Sequence, residues 1–167
     1  MKNLIIIPSR LESSRLPNKP LADINGEPMI VHVFNRAREA NIANVIVAAG
    51  NIEIKDVIEN VGGEAILTKS DHASGSDRIY EALNLYDKDS SYDNVINLQG
   101  DLPNIKKDAL TKIVSLLDSS NSDISTLGVK ISSDQEILNP NIVKAYIKNL
   151  SENNIVDDFD RSFDLSK

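Results

Sequence analysis

The chain has 167 residues and a formal net charge of −7, from 18 Lys and Arg against 25 Asp and Glu. This acidic balance argues against non-specific binding to nucleic acid or to an anionic membrane, and 4% aromatic residues without Trp argue against a base-stacking platform. With no Cys and two His, the chain has no disulfide, no cysteine nucleophile and no multi-His metal centre. No apolar run is long enough to cross a membrane, and the N-terminus leads into a strand-like run rather than a signal peptide, so a cytosolic protein is expected.

The first predicted element is a strand over residues 3–8, where an apolar run ends at Pro8. An uninterrupted apolar run of this length is typical of a strand buried on both faces. A long polar connection follows over residues 9–28, and a helix with apolar residues at helical spacing begins at Pro28. Further strands are predicted over residues 45–49, 64–68, 95–98, 124–131 and 143–147, and further helices over 54–61, 74–86 and 108–117.

This alternation predicts an α/β fold with a doubly wound, mostly parallel sheet covered by helices on both faces. In the usual strand order 3-2-1-4, the first and fourth strands are neighbours. Ligands bind beyond the carboxyl ends of such strands, so the loop after the first strand and Asp101 after the fourth are expected to meet. After residue 148 the pattern fails, and the polar tail over residues 149–167 is expected to be mobile or to begin an element that the chain does not complete.

The loop that follows the first strand is the most informative segment. The first 20 residues carry four basic side chains and one acidic side chain, a net of +3 on an acidic protein. Arginine can bind phosphate oxygens in pairs, lysine supplies a point charge, and serines and backbone N–H groups can complete an anion site. The loop has neither a Walker A sequence nor the glycine pattern of dinucleotide-binding folds, and a solvated surface loop is the alternative interpretation.

Asp101 and Arg78 are two further candidates. Asp101 follows the fourth predicted strand, where a carboxylate suits Mg²⁺, but a Gly-Asp pair is equally typical of a turn. Arg78 falls in the first turn of a predicted helix, where a cation opposes the helix dipole, so an anionic partner is expected for it. Ser74 and Asp77 have the spacing of a capping box, which predicts a structural role for Asp77. No acid–base role is assigned to His32 or His72, and solvated charges are expected at Asp118, Asp123, Asp157, Asp158 and Asp160.

Taken in order, the short motifs of this chain resemble those of the sugar cytidylyltransferases, and most closely the 3-deoxy-manno-octulosonate cytidylyltransferase family. The resemblance extends to about residue 147, and the ordered set is specific although each piece alone is weak. The motifs are Ile5-Ile6-Ile7-Pro8-Ser9-Arg10, Ser13-Ser14-Arg15-Leu16-Pro17-Asn18-Lys19-Pro20-Leu21, Ile24-Asn25-Gly26, Pro28-Met29-Ile30-Val31-His32-Val33, Gly62-Gly63-Glu64, Asp71-His72, Ser74-Gly75-Ser76-Asp77-Arg78, Asn97-Leu98-Gln99-Gly100-Asp101-Leu102-Pro103, Asn139-Pro140-Asn141 and Val143-Lys144.

The resemblance implies a Rossmann-like nucleotidyltransferase fold and a Mg²⁺-dependent enzyme. Such an enzyme transfers CMP from CTP to 3-deoxy-manno-octulosonate, an acidic eight-carbon sugar, and releases pyrophosphate, for lipopolysaccharide precursor synthesis. The resemblance also implies a nucleotidyltransferase domain over residues 1–148, with a nucleotide-binding half over 1–105 and the start of a sugar-binding half over 106–148. It implies catalytic roles for Lys19 and Asp101, metal binding by Asp101, a sugar contact for Gln99, and nucleotide contacts for Arg10, Ser13, Ser14, Arg15, Lys19, Ser74 and Arg78.

The chain departs from the family pattern in four places. Asn18 stands where the family usually has Gly, and because Asn tolerates a left-handed backbone the turn is expected to survive. Leu102 replaces a Glu, and Ala49-Gly50 replaces a Thr-Asp pair that would place a carboxylate near the site. The chain also ends before the family's later sugar-binding, dimer-forming and second metal-binding segments. We therefore expect CTP binding with slight turnover, and homodimerisation, which the family shows, is not expected of this chain.

Two alternatives stay open at this stage. One is a cytidylyltransferase for another acidic sugar, such as an enzyme similar to CMP-sialic acid synthetases. The other is a truncated, non-catalytic module that binds CTP without turning it over.

Overall fold

A computed structural model of the chain describes residues 1–12, 16–120 and 122–145. A first compact unit, Met1–Thr111, is followed by a second that begins at Lys112. In chain order the elements are β1 (Asn3–Ser9), a 3-10 turn (Lys19–Leu21), β2 (Asp23–Ile24), β3 (Glu27–Pro28), α1 (Met29–Ala40), β4 (Asn44–Ala49), α2 (Ile52–Asn60), β5 (Glu64–Leu67), α3 (Gly75–Tyr86), β6 (Asn94–Asn97), α4 (Lys107–Ser119) and α5 (Asp134–Leu138).

Four of the strands form one parallel sheet in the order β5-β4-β1-β6. This confirms the predicted order 3-2-1-4 and the mostly parallel α/β class. The central strand is β1, in which Ile5 lies opposite Val45 of β4 on one side and Ile96 of β6 on the other. As the continuous apolar run predicts, Leu4 through Ile7 are completely buried.

Helices cover the sheet on both faces. On one face, Leu4 and Ile6 of β1 pack in a single cluster with Ile79 of α3. Side chains alternate along a strand, so Ile5 and Ile7 point to the opposite face, where α1 contacts β1 and β4. The doubly wound arrangement follows, because each face of β1 is apolar and must be covered. Within the described ranges, none of the helices combines the length and apolar character needed to cross a membrane.

The predicted long connection over residues 9–28 contains more regular structure than expected. Beyond the 3-10 turn, β2 and β3 form a small antiparallel hairpin through a two-residue turn at Asn25 and Gly26, both with positive φ. The Asn-Gly pair is a strong sequence signal for such a hairpin, which the predicted elements above do not include. His32 Nε2 lies 2.8 Å from the carbonyl oxygen of Ile24, so it attaches the hairpin to α1 and has a structural role. Pro28 stands at the N-cap, one position before the first helical residue.

Two predicted strands after α4 are wrong where the structure describes them. Residues 124–131 and 143–145 have no strand, and residues 146 and 147 lie outside the described residues. The apolar residues that suggested the first of these strands are largely exposed, with Ile124 at 84% and Val129 at 82%. A strand with neither a hydrogen-bonded neighbour nor a buried face is not stable in water. The predicted domain limits at residues 105 and 148 stay predictions, and the predicted tail lies outside the described residues.

We expect Ile46→Ala to lower the free energy of unfolding by about 2–5 kcal/mol, because Ile46 is completely buried and its truncation leaves a cavity between the sheet and α3. Ile52→Ala removes the same atoms from a position that is 50% exposed, and its effect should stay near 0.5 kcal/mol, as is usual for surface changes. Urea unfolding of the two variants and the parent measures both values. Similar losses for the two substitutions would contradict the assignment of the core.

Candidate nucleotide site

The loop after β1 and the segment after β6 meet at one edge of the sheet. Because the two strands are parallel neighbours, both end at the same edge. Lys19, at the far end of the loop after β1, places its Nζ 2.7 Å from Oδ2 of Asp101. Both side chains remain accessible, with 36% of Lys19 and 52% of Asp101 exposed. The meeting of the cationic loop with this carboxylate, expected from the strand order, is therefore present.

Gly100 allows this approach. A Cβ at position 100 would lie 2.8 Å from the backbone oxygen of Pro8, closer than real Cβ atoms come to a backbone oxygen. Only glycine lets the chain after β6 pass this close to the end of β1, and Asp101 follows directly. At the other side of the contact, Asn18 has φ 56°, a left-handed conformation, immediately before Lys19. The turn that was expected to form with Asn in place of Gly is therefore present.

The loop between Arg10 and Lys19 is closed at its base. The N–H of Leu11 donates to Oδ1 of Asn51 at 3.0 Å, and the carbonyl of Leu11 accepts from the N–H of Asn18 at 3.1 Å. Asn51 Nδ2 in turn donates to the carboxylate of Glu12 at 3.0 Å. This hydrogen bond from Asn51 is the main cause that lowers the pKa of Glu12. Ser13, Ser14 and Arg15, predicted to help bind the nucleotide, lie outside the described residues.

Arg10 is exposed and contacts the β5–α3 loop. Its Nη1 donates to the backbone oxygen of His72 at 3.2 Å. The His72 ring donates to the carboxylate of Glu81 on α3, which also accepts the N–H of Lys69 at 3.0 Å. The hydrogen bond with His72 is the first cause that lowers the pKa of Glu81. His72 thus bonds locally through its ring, and its backbone oxygen accepts a hydrogen bond from Arg10.

Arg78 lies near the start of α3, but its side chain is buried, which the sequence did not predict. Its side chain is 2% exposed, and its guanidinium donates to three neutral oxygens: Thr68 Oγ1 at 2.7 Å, Lys69 O at 2.8 Å and Ser70 O at 3.2 Å. Burial, followed by the nearby charge of Arg10, lowers its pKa. Two backbone carbonyls and a hydroxyl thus satisfy this cation within the protein itself. The predicted nucleotide contact of Arg78 stays a prediction.

Gly50 lies directly against the guanidinium of Arg78. A Cβ at this position would lie 2.5 Å from Nη1 and 2.9 Å from Cζ of Arg78. The guanidinium therefore occupies the space that a side chain at position 50 would need. Sequence reasoning treated Gly50 as a lost carboxylate and did not foresee that it makes room for a buried arginine.

The remaining predicted site residues are engaged in local contacts. Ser74 is the N-cap of α3 and shares a capping box with Asp77, which confirms the structural role of Asp77 and occupies the Ser74 hydroxyl. Gln99 is exposed, and its Nε2 donates to Oδ1 of Asn97 at 2.7 Å. Asp118 and Asp123 are exposed, as expected of solvated charges, whereas Asp157, Asp158 and Asp160 lie outside the described residues. Sugar and nucleotide contacts for Gln99 and Ser74 stay predictions.

Comparison with known proteins agrees with this fold. The sequence model of the family described as "Cytidylyltransferase" matches residues 4–161, and the chain therefore belongs to the cytidylyltransferase family. A 3-deoxy-manno-octulosonate cytidylyltransferase of Brucella ovis is 51% identical over 144 residues, which is 86% of this chain and 57% of that protein. The enzyme of the same name from Brucella anthropi is 49% identical over 144 residues, 86% of this chain and 58% of that protein.

Solved structures are similar as well. A CMP:2-keto-3-deoxy-manno-octonic acid synthetase complexed with CTP is 40% identical, with a TM-score of 0.67 over 73% of this chain and 49% of that one. A cytidylyltransferase from Leptospira borgpetersenii has a TM-score of 0.62 at 20% identity, over 73% of this chain and 51% of that one, a likeness of fold alone. The chain thus spans about half the length of the relatives it matches.

We expect Gly50→Ala to lower the free energy of unfolding by about 1–3 kcal/mol, because the added methyl group displaces a buried guanidinium that three hydrogen bonds hold in place. The matched control is Gly75→Ala, where the nearest atom, Cγ of Pro8, lies 3.4 Å away at ordinary contact distance. Thermal unfolding followed by circular dichroism measures both variants. If the two melt at the same temperature, the close packing of Arg78 against Gly50 does not constrain the fold.

Proposed function

We propose that this chain binds CTP at the edge where β1 and β6 end, as the nucleotide-binding part of a cytidylyltransferase. The reaction is transfer of CMP from CTP to 3-deoxy-manno-octulosonate, with release of pyrophosphate. The observation that carries the proposal is the contact between Lys19 and Asp101, with Arg10 on the same loop. Relatives of about 50% identity with this enzymatic name, and a structural neighbour complexed with CTP, support it.

The Lys19–Asp101 ion pair is exposed, so a ligand can reach Lys19 and replace Asp101 as its partner. An ion pair open to solvent contributes only about 0–1 kcal/mol, so a ligand can replace it at little cost. A triphosphate offers Lys19 a stronger set of oxygens, and Lys19 then releases the carboxylate of Asp101. Arg10, also exposed, has further N–H donors for phosphate beyond the one that His72 accepts.

Asp101 fits the requirements of a Mg²⁺ ligand. Its carboxylate supplies hard oxygen atoms and is half exposed. In the part of the chain that the structure describes, no group of three or more acidic or His side chains could hold a metal by itself. Mg²⁺ is commonly bound by one or two carboxylates together with substrate phosphates and water, so a single Asp beside a triphosphate site is compatible with it. When bound, Mg²⁺ neutralises charge on the triphosphate.

The chain's own residues orient the triphosphate. Arg10 and Lys19 bind phosphate oxygens and hold the α-phosphorus where a sugar oxygen can reach it, while Asp101 holds the metal at the same edge. The anomeric hydroxyl oxygen of the sugar forms a bond to the α-phosphorus as the bond to the pyrophosphate oxygen breaks, and the hydroxyl proton passes to solvent. Gln99, two residues before Asp101, is the proposed sugar contact. A sialic acid as acceptor is not favoured, because the relatives reported above carry the 3-deoxy-manno-octulosonate name.

Arg10→Ala and Lys19→Ala are each expected to weaken CTP binding about tenfold to a hundredfold, because each removes a charge-assisted contact to phosphate. Binding of cytidine, which has no phosphates, should be unchanged. Calorimetric titration with both ligands measures the difference, and Arg36→Ala, an exposed cation on α1, is the control. Equal losses for CTP and cytidine would contradict the proposed triphosphate contacts.

Asp101→Asn is expected to remove the dependence of CTP binding on Mg²⁺, because the neutral amide is a poor ligand for this ion. The amide oxygen can still accept a hydrogen bond from Lys19, so the fold should be retained. CTP titrations with and without Mg²⁺ measure the effect, and Asp56→Asn, an exposed carboxylate on α2, is the control. A Mg²⁺ dependence that survives in Asp101→Asn would remove Asp101 from the metal site.

A further inference from the structure

Asn51 stands at the N-cap of α2 but does not cap that helix. Asn is among the preferred N-cap residues because its side-chain oxygen can accept an N–H of the first turn. Here the backbone of Asn51 is extended and its side chain makes no such hydrogen bond. The amide instead reaches across to the loop after β1.

Both the oxygen and the nitrogen of the Asn51 amide form hydrogen bonds with the loop after β1. Oδ1 accepts the N–H of Leu11, and Nδ2 donates to Glu12, each at 3.0 Å. An amide can accept from one neighbour and donate to the next through two separate atoms, whereas a carboxylate only accepts and a serine is shorter. Asn51 therefore recognises two successive residues of the loop, those that follow Arg10.

Leu11, which Asn51 holds, links the backbone beside Arg10 to the backbone beside Lys19. Leu11 follows Arg10 directly, and its carbonyl accepts the N–H of Asn18, which directly precedes Lys19. Leu11 is thus held through its N–H by Asn51 and through its carbonyl by Asn18. This closes the base of the loop, so that Arg10 and Lys19, nine positions apart in sequence, leave it at one end.

We propose that Asn51 is a positioning residue that fixes Leu11, and through Leu11 also Asn18, so that Arg10 and Lys19 are presented together to a triphosphate. This inference rests on the proposed function, since it requires Arg10 and Lys19 to bind phosphate. Asn51 itself does not touch the ligand. It holds the backbone beside Arg10 and Lys19 before the triphosphate binds, and pre-ordering of this kind raises affinity without a new contact.

The first test is Asn51→Ser, because serine remains a good N-cap while being too short to hold the loop. We expect CTP binding to weaken about two- to tenfold, with cytidine binding and the melting temperature unchanged. Asn60→Ser, at the exposed C-terminal end of the same helix, is the control and should bind CTP like the parent. Equal losses for CTP and cytidine, or a lower melting temperature that accounts for the loss, would overturn the inference in favour of a merely structural role.

A second test exchanges the charges of positions 12 and 51 and asks whether CTP binding recovers. Asn51→Asp keeps the acceptor for Leu11 but sets two carboxylates against each other, so CTP binding should weaken. Adding Glu12→Gln restores a donor to the pair with the hydrogen bond reversed, and returns the net charge of the two side chains at positions 12 and 51 to that of the parent. We expect the double variant to recover most of the CTP affinity. A double variant as weak as Asn51→Asp alone would overturn the inference.

A third test combines Asn51→Ser with the loss of either cation. The effect of Asn51→Ser on CTP binding should shrink in an Arg10→Ala or a Lys19→Ala background, because one of the residues through which it acts is gone. An undiminished effect in both backgrounds would show that Asn51 acts by another route and overturn the inference. If Arg10→Ala itself leaves CTP binding unchanged, the proposed function fails and this inference fails with it. If Arg10→Ala weakens CTP binding and Asn51→Ser does not, the inference alone fails.

Discussion

The burial of β1 on both faces is the constraint on which the rest of the first unit depends. Leu4 through Ile7 have no exposed surface, and β1 is hydrogen-bonded on both sides. Such a strand needs parallel neighbours with crossover helices on each face. Parallel neighbours end at a common edge, so the segments that follow β1, β4, β5 and β6 come together there. The candidate site is the set of polar groups that this edge collects.

The cations at that edge differ in burial, since Arg78 is buried whereas Lys19 and Arg10 are exposed. Arg78 is 2% exposed and uses its N–H groups on neutral oxygens of the β5–α3 loop, so it supports the loop that receives Arg10. Lys19 and Arg10 are accessible, and among the described residues they contact a solvated carboxylate and a carbonyl oxygen, respectively. A buried polar group that loses its partners is costly, whereas an exposed pair exchanges them readily. The two exposed cations are therefore the ones that can exchange their partners for a ligand at little cost.

Sequence patterns predicted the elements that bury a continuous or periodic apolar surface. The strands of the sheet and helices α1 to α4 lie within a few residues of their expected positions, because their apolar residues follow the period of the structure. The same reasoning failed at residues 124–131, where Ile124 and Val129 are exposed. It also passed over the hairpin at Asn25 and Gly26, whose signal is a turn dipeptide rather than a periodicity.

The sequence by itself determined the class of fold, the strand order and the presence of a cationic loop opposite Asp101, since these follow from local patterns and from the topology of parallel sheets. Only the tertiary structure decided how single polar groups are used. That Asn51 holds Leu11 rather than its own helix, and that Gly50 makes room for Arg78, are contacts between residues distant in the chain. Hydrogen bonds of this kind depend on distances of a few tenths of an ångström, which only the packed fold determines.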